Sequence, residues 1–420
     1  MLSFRLHRLA TVVLAMWSLT ACAAEPAGSW PQLLGPRRNG VSEEKGLNLD
    51  WKARPPKTLW KVAVGSGYSS LAVRGDRLIT TTKRGDRDIV VCLATADGKE
   101  LWSYDAAPTF TDRQGHCRGP RATPTIDGDH VFCLFGAGEL VCLKVADGTL
   151  RWKTNILEAT KTTPRADQYY WGVSMSPLVE GDRVIVQPGG PNASVAAFHR
   201  DTGKLIWGVG SDPAGYGSPI AIDAAGRRQI VCPTGQSLLG IDPAKGELLW
   251  RYEFGNKYDA TCATPVWTGQ VLFVSVAYGA GSALLEIVAD GPRIAVREKW
   301  RNKNLQTLMA TAVVLGDHVY GFHGDLSAFG LRCLDLHTGE LKWNERYPGR
   351  SAFIAAEGHL IALGERGTLQ LLLPTPAQVA VKGELPNLLT YKAWALPALA
   401  NKRLYLRDEK HVICLDLGKE

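Results

Sequence analysis

One phrase recurs along this 420-residue chain at near-constant spacing: a small residue, an apolar one, a glycine, and a tryptophan four positions on. It reads Cys92-Leu93…Gly98…Trp102, then Cys142-Leu143…Gly148…Trp152, then Ala197-Phe198…Gly203…Trp207. It continues as Gly240-Ile241…Gly246…Trp250 and, after a diverged copy ending at Trp300, as Cys333-Leu334…Gly339…Trp343. Trp60 precedes the first copy, and Cys414-Leu415-Asp416 closes the chain with the phrase cut short. Successive tryptophans lie 42, 50, 55, 43, 50 and 43 residues apart. A period of that size is one four-stranded blade of a β-propeller.

A second phrase, a turn followed by a β-rich run, sits inside each period. It appears at Gly75-Asp76, Gly128-Asp129, Gly181-Asp182 and Gly316-Asp317. Looser versions stand at Gly226-Arg227, Gly269-Gln270, Gly358-His359 and Asn401-Lys402. Turn residues between short β-branched runs are hairpin signals, and no segment has helical periodicity. One four-stranded blade cannot bury both of its faces, whereas blades arranged around an axis bury each face against a neighbour. The expected fold is therefore all-β: an eight-bladed propeller of four-stranded antiparallel blades. The segment around Trp60 is expected to supply the missing strand of the last blade, so that N- and C-terminal strands close the ring. The domain reading is a leader over 1–23, an N-terminal extension over 24–58 and a propeller over 59–420.

The leader has a positive start, Arg5 and Arg8, and an apolar run from Leu9 to Leu19 that is too short to span a bilayer. Leu19-Thr20-Ala21-Cys22 reads as a lipobox, with Cys22 as the lipidated first residue of the mature protein; Ala21-Cys22-Ala23 reads equally as an ordinary cleavage site. Both predict export: a periplasmic protein, with an outer-membrane lipid anchor if Cys22 is acylated. Without Arg5 and Arg8 the formal charge of +7 falls to +5. That is a mild excess with no basic run, which excludes a nucleic-acid binder.

Nine cysteines in an exported chain would suggest disulfides. Four of them, Cys92, Cys142, Cys333 and Cys414, share one repeat position, which fits a small buried strand residue held apart in different blades. Cys133 and Cys142 flank Ala137-Gly138 symmetrically, so a tight hairpin would set them opposite each other and permit a strained cross-strand bridge. No Cys-x-x-Cys-His is present for haem attachment, and no two cysteines are adjacent.

On these repeats, residues 30 to 420 resemble the PQQ-like repeat proteins of the quinoprotein alcohol dehydrogenase-like superfamily. Trp30-Pro31-Gln32…Gly35-Pro36…Gly40-Val41-Ser42 resembles the opening of an exported, planctomycete-type bacterial branch. Trp171-Gly172…Ser176-Pro177-Leu178-Val179, Pro188-Gly189-Gly190 and Lys303-Asn304-Leu305 resemble it as well. The resemblance implies that Trp102, Trp152, Trp207, Trp250, Trp300 and Trp343 each dock on the next blade, over the glycine of its tight turn. No tryptophan follows Gly367 at the expected distance, which puts the seventh interface in doubt. The resemblance also implies what a quinoprotein dehydrogenase would carry: pyrroloquinoline quinone over a vicinal disulfide, and Ca²⁺ held by Glu and Asn beside an Asp base. This chain lacks the vicinal cysteines, and no calcium constellation stands out by spacing.

Loops before the inner strands ring the channel mouth of a propeller, where ligands bind. Here they carry Arg118, Arg121, Trp171, Tyr216, Tyr258 and Trp394, residue types favoured in binding hot spots. They read either as a shared pocket for a planar or anionic ligand or a partner's loop, or as packing that plugs the channel. No catalytic residues and no metal ligands are assigned. His116 beside Cys117 lacks a third orienting group, and Tyr278-Gly279-Ala280-Gly281 has no following helix to make it a phosphate loop. The function expected is a non-catalytic, exported binding or scaffolding protein of the cell envelope, monomeric and without a cofactor. Its partner is a protein or a small ligand at the central channel. In plan it resembles the propeller lipoproteins of outer-membrane β-barrel assembly. The alternative is a quinoprotein-like oxidoreductase of alcohols or sugars, with pyrroloquinoline quinone and calcium.

Overall fold

The computed structural model describes residues 28–115, 118–165, 170–325 and 329–419. The leader with Cys22 lies outside the described residues, as do His116, Cys117 and Tyr169.

The eight turns of the sequence reading each join the first and second strands of a blade, and eight sheets follow from them. Seven blades occupy residues 72–108, 125–155, 178–209, 220–253, 266–302, 313–346 and 351–385. The eighth takes three strands from 398–416 and its outermost from Lys57–Ala63, which pairs antiparallel with His411–Asp416. Segments far apart in the sequence thus close the ring within one sheet, and His411–Asp416 gains a partner on both sides. Among the described residues the only α-helical segment is one turn, Ile156–Ala159, capped by the Asn155 side chain.

The blade faces are held by repeated tryptophans. Trp60, Trp102, Trp152, Trp207, Trp300 and Trp343 each donate an indole N–H to a backbone carbonyl of the following blade, at 2.8–3.2 Å. Below five of them lies a glycine, at 98, 148, 203, 246 or 339, whose absent Cβ would stand 2.4–2.7 Å from the indole. Each of these glycines has a φ near +70°. That combination explains the spacing of the phrase: the turn needs a left-handed residue, and the ring needs its bare face.

Trp250 departs from the pattern. Its Nε1 donates to Gln229 Oε1 of its own blade at 2.6 Å. The indole lies over Gly240, the strand residue it is paired with, while still joining the apolar cluster shared by the fourth and fifth blades. The seventh interface is filled from elsewhere. Trp51 of the extension packs on Gly383 of the seventh blade's outer strand, in one cluster with Leu371, Leu399 and Leu415.

The cysteine hairpin is corrected by its register. Cys133 pairs with Val141, and Cys142 with Phe132. The one-residue offset sends the two thiols to opposite faces: Cys133 packs towards the first blade's cluster and Cys142 towards the third's. All seven described cysteines are free thiols.

The extension is threaded through the ring rather than appended to it. Trp30 exchanges backbone hydrogen bonds with Val73 of the first blade. Arg38, only 3% exposed, donates to Thr125 Oγ1 and to the carbonyls of Ser176, Pro177 and Pro219, tying three successive inner strands. Val41–Ser42 then adds a parallel strand to the seventh blade, and Leu47 bridges to Gly418.

Candidate functional site

The inner strands begin on one hydroxyl seam. The Leu396 N–H donates to Ser70 Oγ, Ser70 N–H to Thr123 Oγ1, Thr123 N–H to Ser176 Oγ, and Ser176 N–H to Ser218 Oγ. Thr264 N–H donates likewise to Thr311 Oγ1. Distances run from 2.8 to 3.2 Å. Serine and threonine suit the position because a short hydroxyl can reach the neighbouring backbone N–H and satisfy it. Thr123, Ser176, Ser218 and Thr264 are each followed by proline, which has no N–H to satisfy and favours an extended entry into the strand.

Above this seam lies a cup of about 550 Å³ at the channel mouth. Its floor includes Leu33 of the extension. Gln32, Arg37 and Arg38 instead line a separate cavity at the opposite mouth. Residues of the extension thus line both cavities, Leu33 at the cup and Gln32, Arg37 and Arg38 at the other.

Of the six residues singled out in the sequence, Arg121, Trp171, Tyr216 and Trp394 line the cup together. Arg121 donates to the Trp171 carbonyl at 2.6 Å and stands 3.8 Å from the buried Asp112 carboxylate. Trp171 donates its backbone N–H to the Tyr216 hydroxyl and its indole N–H to Gln114 Oε1; its ring centroid lies 5.5 Å from that of Tyr216. Trp394 packs on Tyr68 with centroids 4.9 Å apart and donates to Glu365 Oε2 at 3.0 Å.

The other two lie elsewhere. Arg118 is exposed, 3.6 Å from Glu409, in a shallower hollow with Lys83 and Tyr391. Tyr258 stands edge-on to the cup residue Tyr278 at 5.1 Å, on a loop folded around the Asn256 side chain.

The structure adds Arg350, Lys392, Tyr68, Tyr278 and Cys262 to the cup. Lys392 Nζ lies 4.9 Å above the Trp394 ring, and the Arg350 guanidinium lies within 6 Å of both Trp394 and Phe329. Cations over aromatic faces are attracted by the ring quadrupole and held in place. The cup thus presents three cations, Arg121, Arg350 and Lys392, against two neighbouring carboxylates, Asp112 and Glu365. Each carboxylate already faces an arginine.

Among the groups at the cup and its adjoining cavity, the displaced pKa values move away from neutrality. Burial pushes the Cys262 thiol up to about 12 and raises the Tyr216 and Tyr278 hydroxyls. Burial lowers His323, in the adjoining cavity, to about 4. A general acid or base works best near the operating pH, and these groups are not so tuned. Among the described residues no three His, Cys, Asp or Glu side chains converge to hold a metal ion, and Cys262 has no adjacent cysteine.

A family model described as outer membrane protein assembly factor BamB matches residues 52–133 and 86–345. Quinohemoprotein alcohol dehydrogenase ADH IIB of Pseudomonas putida is 31% identical over 182 residues, 41% of this chain and 24% of that protein. Outer membrane protein assembly factor BamB of Escherichia coli is 23% identical over 253 residues, 49% of this chain and 62% of that protein. The match thus spans less than two thirds of either curated relative. Among solved structures, BamB from Moraxella catarrhalis superimposes with a TM-score of 0.57 at 17% identity, covering 86% of this chain and 98% of that one. The quinohemoprotein alcohol dehydrogenase of Comamonas testosteroni does so with a TM-score of 0.64 at 12% identity, covering 95% and 82%. At such identities the structural likeness shows the fold.

Proposed function

The chain belongs to the PQQ-like repeat family described as outer membrane protein assembly factor BamB, and from that premise we propose that it is an exported, non-catalytic binding protein of the cell envelope that receives its partner in the cup. The observation that carries this reading is the chemistry of the cup. Indole and phenol faces and three cations converge there, with no metal-ligand cluster among the described residues. Aromatic and arginine side chains around a concave site are the residue types of binding hot spots. Export rests on the leader, with Arg5, Arg8 and the run Leu9 to Leu19, and Cys22 would carry the lipid anchor.

The second reading is a quinoprotein-like oxidoreductase of alcohols or sugars. It draws on the segment 31% identical to the alcohol dehydrogenase, and on cations that would suit a carboxylated quinone. Calorimetric titration of the mature protein with pyrroloquinoline quinone and Ca²⁺ separates the two. The binding reading predicts no saturable heat. Micromolar affinity that is lost in an Arg121→Ala, Trp171→Ala variant would put the oxidoreductase first.

A further inference from the structure

The extension enters the ring on the side away from the cup. The first strand of the eighth blade, Ala398–Ala400, runs from Leu396 at the cup to a turn at Asn401-Lys402. The matching turns of the fifth and sixth blades carry Gly269 and Gly316, which line the opposite mouth. Gly28 lies against the eighth-blade turn, so closely that an added Cβ would overlap Asn401 Oδ1. From there the chain goes straight inward: Ser29 and Trp30 are buried. Trp30 bonds to Val73, on the strand that ends at the Gly75-Asp76 turn of the first blade.

Six residue steps separate Cys22 from Gly28. Fully extended, they span about 20 Å. With Cys22 acylated and held at the headgroups, Gly28 stays within that reach of the lipid. A four-stranded blade measures about 14 Å from its innermost to its outermost strand, at ~4.8 Å per spacing. From the opposite mouth to the cup side, the eight residues of Arg77–Arg84 rise about 20 Å. To press the cup onto the lipid, the tether would have to run outward along a blade and then down its height, a path of more than about 30 Å. That exceeds its reach. The turns beside Gly28 need none of that path.

We propose that the turns at Gly75-Asp76 and Asn401-Lys402 form the membrane-facing surface of the protein, held near lipid headgroups by Cys22, and that the cup opens away from the bilayer. This rests on the lipid-anchored form of the envelope reading. The anchor sets distance and the entry point of the extension sets direction, so no contact of the blades with lipid is needed to orient the ring. The partner that enters the cup then presents a segment standing clear of the lipid by about the height of a blade, roughly 20 Å.

The test uses the full chain made in cells with its own leader, then placed on vesicles of phosphatidylethanolamine and phosphatidylglycerol whose outer headgroups carry an acceptor dye. A donor dye of short transfer range is coupled to an azide-bearing residue at Asp76 or at Lys392, both exposed, after each protein is confirmed folded by its thermal transition. Intact mass reports whether Cys22 is acylated, and vesicles without acceptor give the baseline. The proposal predicts strong energy transfer from position 76 and a several-fold loss of it from position 392. Transfer from 392 equal to or above that from 76 in the acylated chain overturns the orientation and leaves the anchor standing. A mature chain without the acyl mass overturns the anchor and the orientation together, and does not touch the cup as the binding site.

Discussion

The indole of Trp250 lies against Gly240 so closely that a Cβ there would stand 2.0 Å from its ring atoms. In the other tryptophan repeats the same strand position carries Cys, Ala or Leu, as in the pairs Cys92 with Trp102, Ala197 with Trp207 and Leu284 with Trp300. There the Cβ keeps the indole off its own strand and turns it to the next blade. Gly240 removes that restraint. The fifth blade also offers no glycine to dock on, because its outer hairpin continues to Asp290–Arg293 and the glycine of that turn, Gly291, has nothing within 4 Å of its absent Cβ.

Gly240→Ala is therefore expected to be destabilising by about 1–3 kcal/mol, the range for overpacking a close-packed core. Trp250→Ala should then cost less in the Gly240→Ala background than alone. Urea midpoints of the four proteins measure this, and additive losses would contradict the contact.

Arg38 reaches four acceptors on three inner strands. Its replacement by methionine leaves those buried carbonyls unsatisfied, at roughly 1–3 kcal/mol each where no water enters. We expect Arg38→Met to lower stability by about 3 kcal/mol and to release the extension to limited proteolysis within residues 31–46 before the blades are cut. Equal protection of that segment in both proteins would contradict its role as the anchor.

Asp88 is 2% exposed, and burial raises its carboxyl to about 6, although Thr109 donates to it at 2.8 Å. Because the folded pKa lies above the unfolded one, its contribution is whole below about pH 4 and is lost as pH rises to 6. Asp88→Asn should remove that penalty, gaining about 2 kcal/mol at pH 7.5 and little at pH 4. A gain that does not depend on pH would exclude this account.

Burial pushes the thiols of Cys92, Cys142 and Cys414 up to about 12 and that of Cys333 to about 11. The thiolate is the reactive form. At pH 8 these four should resist an aromatic disulfide reagent in the folded protein and react at once in denaturant. Rapid labelling of any of them before unfolding, located by mass spectrometry, would contradict their placement.

The ring was legible because its signals are local and repeated: eight turns, and a tryptophan set at fixed distance from a left-handed glycine. The threading of the extension was not. Val41–Ser42 is a two-residue strand whose partner, Ala355–Ala356, lies more than 300 positions away, and Trp51 belongs to no repeat. The Cys133 and Cys142 register depended on a single-residue offset that symmetry about Ala137-Gly138 does not encode. For the cup, the rule that loops before inner strands converge was sound. Applied to every blade, it would also have reached Tyr68 before the first and Arg350 before the seventh. The hydroxyl seam had a visible signal in the Ser-Pro and Thr-Pro steps at 123, 176, 218 and 264.

The most direct test of the central claim is photo-crosslinking in cells that make the full chain with its own leader. A benzoyl-phenylalanine placed at Trp394 samples the cup, and one at Leu205, 40% exposed on an outer strand, samples the waist of the ring. The account predicts a discrete covalent adduct with an envelope partner from position 394 and none from 205. Adducts from the waist with none from the cup would contradict it.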